Sequence, residues 1–147
     1  MANFHTHQKR AKALNHRKVS TDFFNFVRTI ETVLADDNAQ QLFLDSKDVF
    51  GKPIGFYSQG TENITNGRKK AGQPFNLKES GEFLKKLFAK VKGETIIFDT
   101  SDSKKNEVLG NLLTTDIFGL SDQDLKVVID KKMRPFFIKY YKEKLLK

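Results

Sequence analysis

Apolar positions recur at three- and four-residue spacing from Phe23 through Phe26, Val27, Ile30, Val33 and Leu34. That spacing draws one stripe along a helix. Ser20-Thr21-Asp22 ahead of it offers a capping hydroxyl and a negative charge for the positive end of the helix. Asp36-Asp37-Asn38 dilutes the stripe before Ala39, Leu42 and Phe43 resume it. The pattern predicts one long helix over 20–45, with any interruption near 37. From Asp45 to Gly72 the chemistry changes to turns: Gly51-Lys52-Pro53, Gly55, Gly60 and Asn66-Gly67 permit or preset turn dihedrals. Short extended pieces are expected around 49–50 and 54–57. Arg68-Lys69-Lys70 tops a polar loop, a place for a partner contact.

The next segment is ambiguous by period alone. Phe83, Leu84, Leu87, Phe88 and Val91 fit a helix face, whereas Phe83, Leu87, Ala89 and Val91 fit one face of a strand. Gly93-Glu94 breaks the tie. It stands between Val91 and the β-rich run Thr95-Ile96-Ile97-Phe98, and Gly in the first position suits a two-residue type II′ turn. A hairpin pairing 82–92 with 95–100 is predicted. Ser101-Asp102-Ser103 can cap a short helix carrying Val108, Leu109, Leu112 and Leu113. Ser121 with Asp124 three residues on makes a near capping box. From Leu125 to Tyr141 an amphipathic helix runs almost to the end, and Pro135 must kink it or start it anew. The resulting class is α+β: a long N-terminal helix, an antiparallel sheet with a β-hairpin, and a long C-terminal helix.

Residues 1–19 stand outside that pattern. Lys9, Arg10, Lys12, Arg17 and Lys18 fall here together with all three histidines, and the first acid is Asp22. Apolar residues are few and unperiodic, so 1–19 reads as a basic flexible arm and 20–147 as a single domain. A chain of 147 residues holds one hydrophobic core. With 38% hydrophobic and 30% charged residues it is too apolar for disorder and too polar for burial in a membrane. No apolar run approaches the roughly 18–20 residues of a spanning helix. The N-terminus also lacks the apolar stretch of a secretory signal. Zero cysteines exclude disulfides, thiolate metal sites and cysteine chemistry. Fourteen Phe with no Trp predict a core built on Phe.

Catalytic chemistry is hard to find. His5-Thr6-His7 has no ordered third ligand beside it. No phosphate-binding glycine loop, zinc-protease pair or nucleophile elbow is present. Asp36-Asp37 reads as a solvated helix turn and Asp102 as a cap, leaving a metal-dependent nuclease as a minor third reading. No catalytic, cofactor-binding or metal-ligating residue is therefore named. Net charge is the stronger signal: 26 Lys and Arg face 18 Asp and Glu, giving +8. Lys131, Lys132, Arg134, Lys139, Lys142, Lys144 and Lys147 crowd the last helix. The helix dipole alone favours such lysines, and Phe136, Phe137, Tyr140 and Tyr141 among them read as core before base-stacking platforms. Candidate partner contacts are Lys9, Arg10, Lys12, Arg17, Lys18, Arg68, Lys69 and Lys70.

Several pieces resemble a known family in their order. Leu77-Lys78-Glu79-Ser80-Gly81-Glu82-Phe83 is similar to the L-x-x-(S/T)-G-x-(L/F) element of tailed-bacteriophage virion-morphogenesis and tail-completion proteins, where it ends a basic loop and begins a hairpin. Ile117-Phe118-Gly119-Leu120-Ser121, with Asp124 and a terminal helix after it, resembles the R-x-F-L-G-L-S-x-x-D ending of that group, without its arginine: Asp116 and Ile117 precede Phe118. Gly51 and Gly55-Phe56-Tyr57-Ser58 resemble its G-x-x-(W/Y/F) region. The resemblance implies a non-enzymatic structural protein of the virion neck, joining head and tail as a ring. Its implied partners are copies of itself, portal or adaptor proteins and tail proteins, with DNA in the channel as a further candidate. Its implied location is the virion, and the host cytoplasm during assembly. The alternative is a small basic nucleic-acid-binding protein, which the pI of about 9.6 invites. Against it, the basic residues look scattered over arm, loop and helix end.

Overall fold

In the computed structural model, which describes residues 3–77 and 81–147, two helices lead into the core: α1 (Phe4–Ala13) and α2 (His16–Thr29). Next come α3 (Glu31–Gln40) with a wide π-type turn (Gln41–Asp45), and α4 (Gln59–Ile64). A single helical turn α5 (Glu82–Lys85) enters strands β1 (Leu87–Lys92) and β2 (Thr95–Thr100), and α6 (Lys105–Gly110) follows. The last helical run comprises α7 (Asp122–Val128), a π turn (Ile129–Met133), α8 (Arg134–Tyr141) and a second π turn (Lys142–Leu146). The α+β class predicted from the pattern is the one observed.

The hairpin forms in the expected place. Leu87 pairs with Thr100 and Lys92 with Thr95, leaving Gly93-Glu94 as the two-residue turn. Gly93 has φ +64° and Glu94 is not among the residues with positive φ, which is the type II′ arrangement. Along β1 burial alternates: Leu87, Ala89 and Val91 point inward and Phe88, Lys90 and Lys92 outward. Residues 82–85, assigned to the hairpin by the sequence, form instead the turn α5, with Gly81 in the left-handed region ahead of it. The edge of β1 facing away from β2 is covered where the Val91 N–H donates to the Glu31 carboxylate at 2.8 Å.

The predicted helix over 20–45 is two helices, broken at Ile30 rather than near 37. There the Ile30 N–H bonds three residues back to Val27 and the Thr29 hydroxyl bonds the Phe26 carbonyl at 2.6 Å, so the ladder tightens and ends. The turn lets α3 lay Leu34 and Ala35 against β1 in one core cluster with Val27, Ile30, Ala89, Val91 and Val128. A second cluster joins Leu42, Ile54, Phe83, Leu87 and Ile117. Both are mainly aliphatic. Of the fourteen Phe, Phe83 alone is among the buried residues, correcting the expectation of a core built on Phe. Five others form a seam between helices: Phe23 stacks on Phe137 at 5.0 Å and Phe26 on Phe136 at 4.5 Å, while Phe24 packs edge-on to Phe23.

Pro135 sits in the first turn of α8, and the π turn before it shifts the hydrogen-bond ladder where the missing N–H would have broken it. Residues 1–19 also depart from expectation. Helix α1 occupies 4–13, and the boundary at 20 falls inside α2, whose N-cap is Asn15 rather than Ser20. Helix α4, in the stretch read as turns, starts at Ser58, whose hydroxyl accepts from the Thr61 N–H.

Two glycines test this geometry differently. A Cβ at Gly93 meets nothing within 4 Å, so Gly93→Val carries only backbone strain and lowers stability by about 1–2 kcal/mol in urea titration. At Gly55, φ is +155° and a Cβ overlaps the Phe75 ring. Gly55→Ala costs about 2 kcal/mol or more, and Phe75→Ala in the same chain recovers part of it.

Candidate functional site

The basic residues near the two termini meet because helices cap and dock there. Asn3 caps α1 by accepting from the Thr6 N–H at 3.0 Å, and Asn15 caps α2 by accepting from Lys18 N–H at 2.9 Å. Between the caps the chain turns through Leu14 in an extended conformation. Helix α1 buries no residue of its own and lies against the last turn of the chain. His7 Nδ1 lies 2.7 Å from the Leu145 carbonyl oxygen, which also accepts from the Arg10 guanidinium at 3.2 Å. That carbonyl belongs to the turn Lys142–Leu146. A concavity of about 370 Å³, lined by Ala11, Leu14, His16, Val19, Tyr141 and Leu145, marks the junction.

The Phe23–Phe137 and Phe26–Phe136 stacks align α2 with α8, and a polar contact extends the seam toward the junction. Tyr140 donates to Asp22 at 2.7 Å, and Lys18 lies 3.6 Å from the same carboxylate. The Tyr140 hydrogen bond first, and the lysines after it, hold the Asp22 carboxyl below the usual carboxylate range. Burial and that carboxylate push the Tyr140 phenol up to about 12. Lys144 Nζ sits 5.8 Å from the Tyr140 ring centroid.

One end of the molecule consequently gathers Lys9, Arg10, Lys12, Arg17 and Lys18 with Lys139, Lys142, Lys144 and Lys147. Residues 1–22 and 139–147 hold nine Lys and Arg against two acids, whereas 23–138 hold seventeen against sixteen. Nearly all of the net charge lies at this pole. The apparent scatter of basic residues is corrected there, since chain ends more than a hundred residues apart form one surface. Arg68, Lys69 and Lys70 do not join it. Arg68 bonds the Thr65 carbonyl, Lys69 lies over the Tyr57 ring at 5.1 Å, and Lys70 pairs with Glu62 at 3.4 Å. Those three close their own loop.

The carboxylates of Asp99 and Asp102 are already engaged. Asp99 meets Lys105 Nζ at 2.7 Å and accepts from the Thr100 N–H; Lys105 first and then that N–H lower its pKa. Asp102 accepts from the Lys104 N–H and pairs with Lys86 at 3.5 Å. Burial, then Asp124 and Asp36, raise the pKa of Asp37. Among the described residues no group of three or more His, Asp or Glu converges on a metal position. A separate cleft of about 950 Å³ lies between α4 and α6, with Tyr57, Phe75, Phe83 and Val108 on its walls and Lys86 and Asp102 beside them.

Missing from the sequence reading were Asn38 and Gln41, which set the position of the segment 117–121. The Asn38 amide donates to the carbonyls of Ile117 and Gly119 at 3.0 and 2.8 Å, while its oxygen accepts from the Gly119 N–H. Gln41 donates toward Lys47, Asp48 and Gly119 carbonyls and accepts from the Ser121 N–H at 2.7 Å. Their signal lay in the periodicity: both fall on the face that carries Leu34 and Leu42. Ser121 then caps α7 through Asp124, as the near capping box predicts. Of the L-x-x-(S/T)-G-x-(L/F) element, residues 78–80 lie outside the described residues. Compared with known protein families, curated proteins and solved structures, the chain matches none of them.

Gln41→Leu keeps the volume but strands the buried Ser121 N–H, and a loss of about 1–3 kcal/mol is expected in urea unfolding. The Tyr140–Asp22 bond gives a pH signature. Asp22 has a lowered folded pKa, so its contribution is present above the ordinary carboxylate range and is lost as pH falls through the folded value. Tyr140 has a raised folded pKa, so stability declines from about pH 10 as the unfolded phenol ionises first. The stability difference between wild type and Tyr140→Phe should be flat through neutrality and shrink at both extremes; a pH-independent difference contradicts the bond.

Proposed function

We propose that the chain is a non-enzymatic structural protein of a tailed-phage virion, acting in the neck and tail-completion region, where a ring of copies joins head portal to tail. One observation carries this reading: the described residues of the three segments that resemble the family sit at junctions of the fold. Gly55 opens the stretch that crosses the Phe75 ring, and Gly81 leads into α5 and the hairpin. Ile117–Ser121 is the segment clamped by Asn38 and Gln41 ahead of the terminal helix. Residues at junctions set the angles between elements, and a shared pattern there accompanies a shared architecture.

Two unlike apolar surfaces support assembly into a ring. Phe4 is 76% exposed on α1, and Leu146 is exposed on the turn that α1 contacts. Phe56 and Ile64, also exposed, line the cleft, which shares no lining residue with the terminal junction. A head-to-tail contact joins two different patches of one subunit and closes into a ring when the rotation permits. On this reading the partners are further copies, the portal or adaptor, and tail proteins, and the location is the virion after assembly in the host cytoplasm.

The test is cryo-electron microscopy and mass spectrometry of purified particles whose genome encodes the chain. Expected is density for α2, α3 and the hairpin repeated in a symmetric ring at the head–tail vertex. A chain absent from purified particles, or present there without rotational symmetry, overturns the reading.

A further inference from the structure

The charge at the terminal pole is arranged in a way the fold does not require. Lys9 and Lys12 stand three residues apart on α1, and Lys139 and Lys142 three apart on α8 and the turn beyond it, so each pair projects from one side of its helix. All four are exposed, as is Arg17 at the start of α2. Among the described residues none of the five makes an ion pair, although other lysines of this chain find carboxylates. Arg10 differs. It turns inward to the Leu145 carbonyl and ties the two helices together. Helix α1 therefore contributes almost no burial of its own, and its docking on the terminal turn brings two exposed basic pairs to the same end of the molecule.

Like charges held together repel, and nothing in the described core is gained by that placement. The donors also diverge along two helices rather than converging on a point, which suits an extended anion with regularly repeated charge over a small one. Phosphates of a nucleic-acid backbone have that form, and each lysine that neutralises one releases condensed counterions. No base-reading constellation accompanies the rows, so the contact addresses backbone and not sequence.

We propose that the pole formed by α1, the start of α2 and the C-terminal turn is a sequence-independent binding surface for duplex DNA, with Lys9, Lys12, Arg17, Lys139 and Lys142 on the phosphates. The proposal needs only the pole and stands apart from the neck reading, since a chain located elsewhere would bind DNA the same way.

The experiment is fluorescence anisotropy of the full chain with a short labelled DNA duplex across a salt series, repeated with duplexes of unrelated sequence. Affinity should be independent of sequence and fall linearly in log–log form with salt. The variant Lys9→Gln/Lys12→Gln/Arg17→Gln should lower the magnitude of that slope by about 2–3, and Lys139→Gln/Lys142→Gln by about 2, at roughly 0.9 per phosphate contact. These side chains are exposed, so circular dichroism should stay unchanged. Arg68→Gln/Lys69→Gln/Lys70→Gln, away from the pole, should keep the wild-type slope. Three results would overturn the proposal: no binding at low salt, equal losses from the pole and loop variants, or displacement of DNA by polyglutamate or anionic vesicles at matched charge. The last assigns the pole to an acidic protein or a lipid surface.

Discussion

Asn38 on α3 and Gln41 on the turn that continues it lie almost fully buried on one face, and their two amides meet six backbone groups in segments 47–48 and 117–121. With one two-stranded sheet among the described residues, few ladders satisfy the loop backbone, yet buried N–H and carbonyl groups must be paired. Here side-chain amides do the work that neighbouring strands do elsewhere. Their position also couples the two apolar clusters, because α3 contributes Leu34 to one and the turn that continues it contributes Leu42 to the other. An apolar residue in either place would fill the space and leave the crossing segments without partners. The entry angle of the terminal helix, and through it the aromatic seam and the basic pole, follows from this bridge.

The parts legible in the sequence were those determined locally. Gly93-Glu94 selected hairpin over helix because a turn position requiring positive φ is a local demand. Ser121 with Asp124 announced the start of α7 for the same reason. The break at Ile30 carried no glycine or proline; it follows from how α3 must lie on β1, which is a tertiary demand. Helix α1 escaped notice because its apolar positions have no period. Its docking partner is a carbonyl near the other end of the chain. The five basic residues of the arm were identifiable as a cluster, whereas their juxtaposition with Lys139 and Lys142 depended on the α2–α8 seam. Phe misled for a related reason: rings that stack between helices at the surface count the same in composition as rings at the centre.

Segregated charge gives the molecule a large electrical asymmetry around a nearly neutral body. Such an asymmetry orients a subunit in the field of an anionic partner before contact, and its reach shortens with ionic strength over about 8 Å in physiological salt. The Tyr140–Asp22 bond sits just inside that pole and neutralises nothing beyond it, which leaves the outer rows uncompensated.

The two wide turns in the C-terminal run have a geometric meaning of their own. Each closes its hydrogen bonds one residue further along than an α-helix does, so the chain takes in about one extra residue without lengthening the helix by a full step. About one residue of helix is roughly 100° of rotation. The turn at Ile129–Met133 therefore sets the azimuth of Phe136, Phe137 and Tyr140 relative to Val128, and the turn at Lys142–Leu146 sets that of the final lysines relative to the aromatic face. The terminal run is a rod of separately phased segments. Removing one residue from its first wide turn is chiefly a twist of everything downstream and only incidentally a shortening.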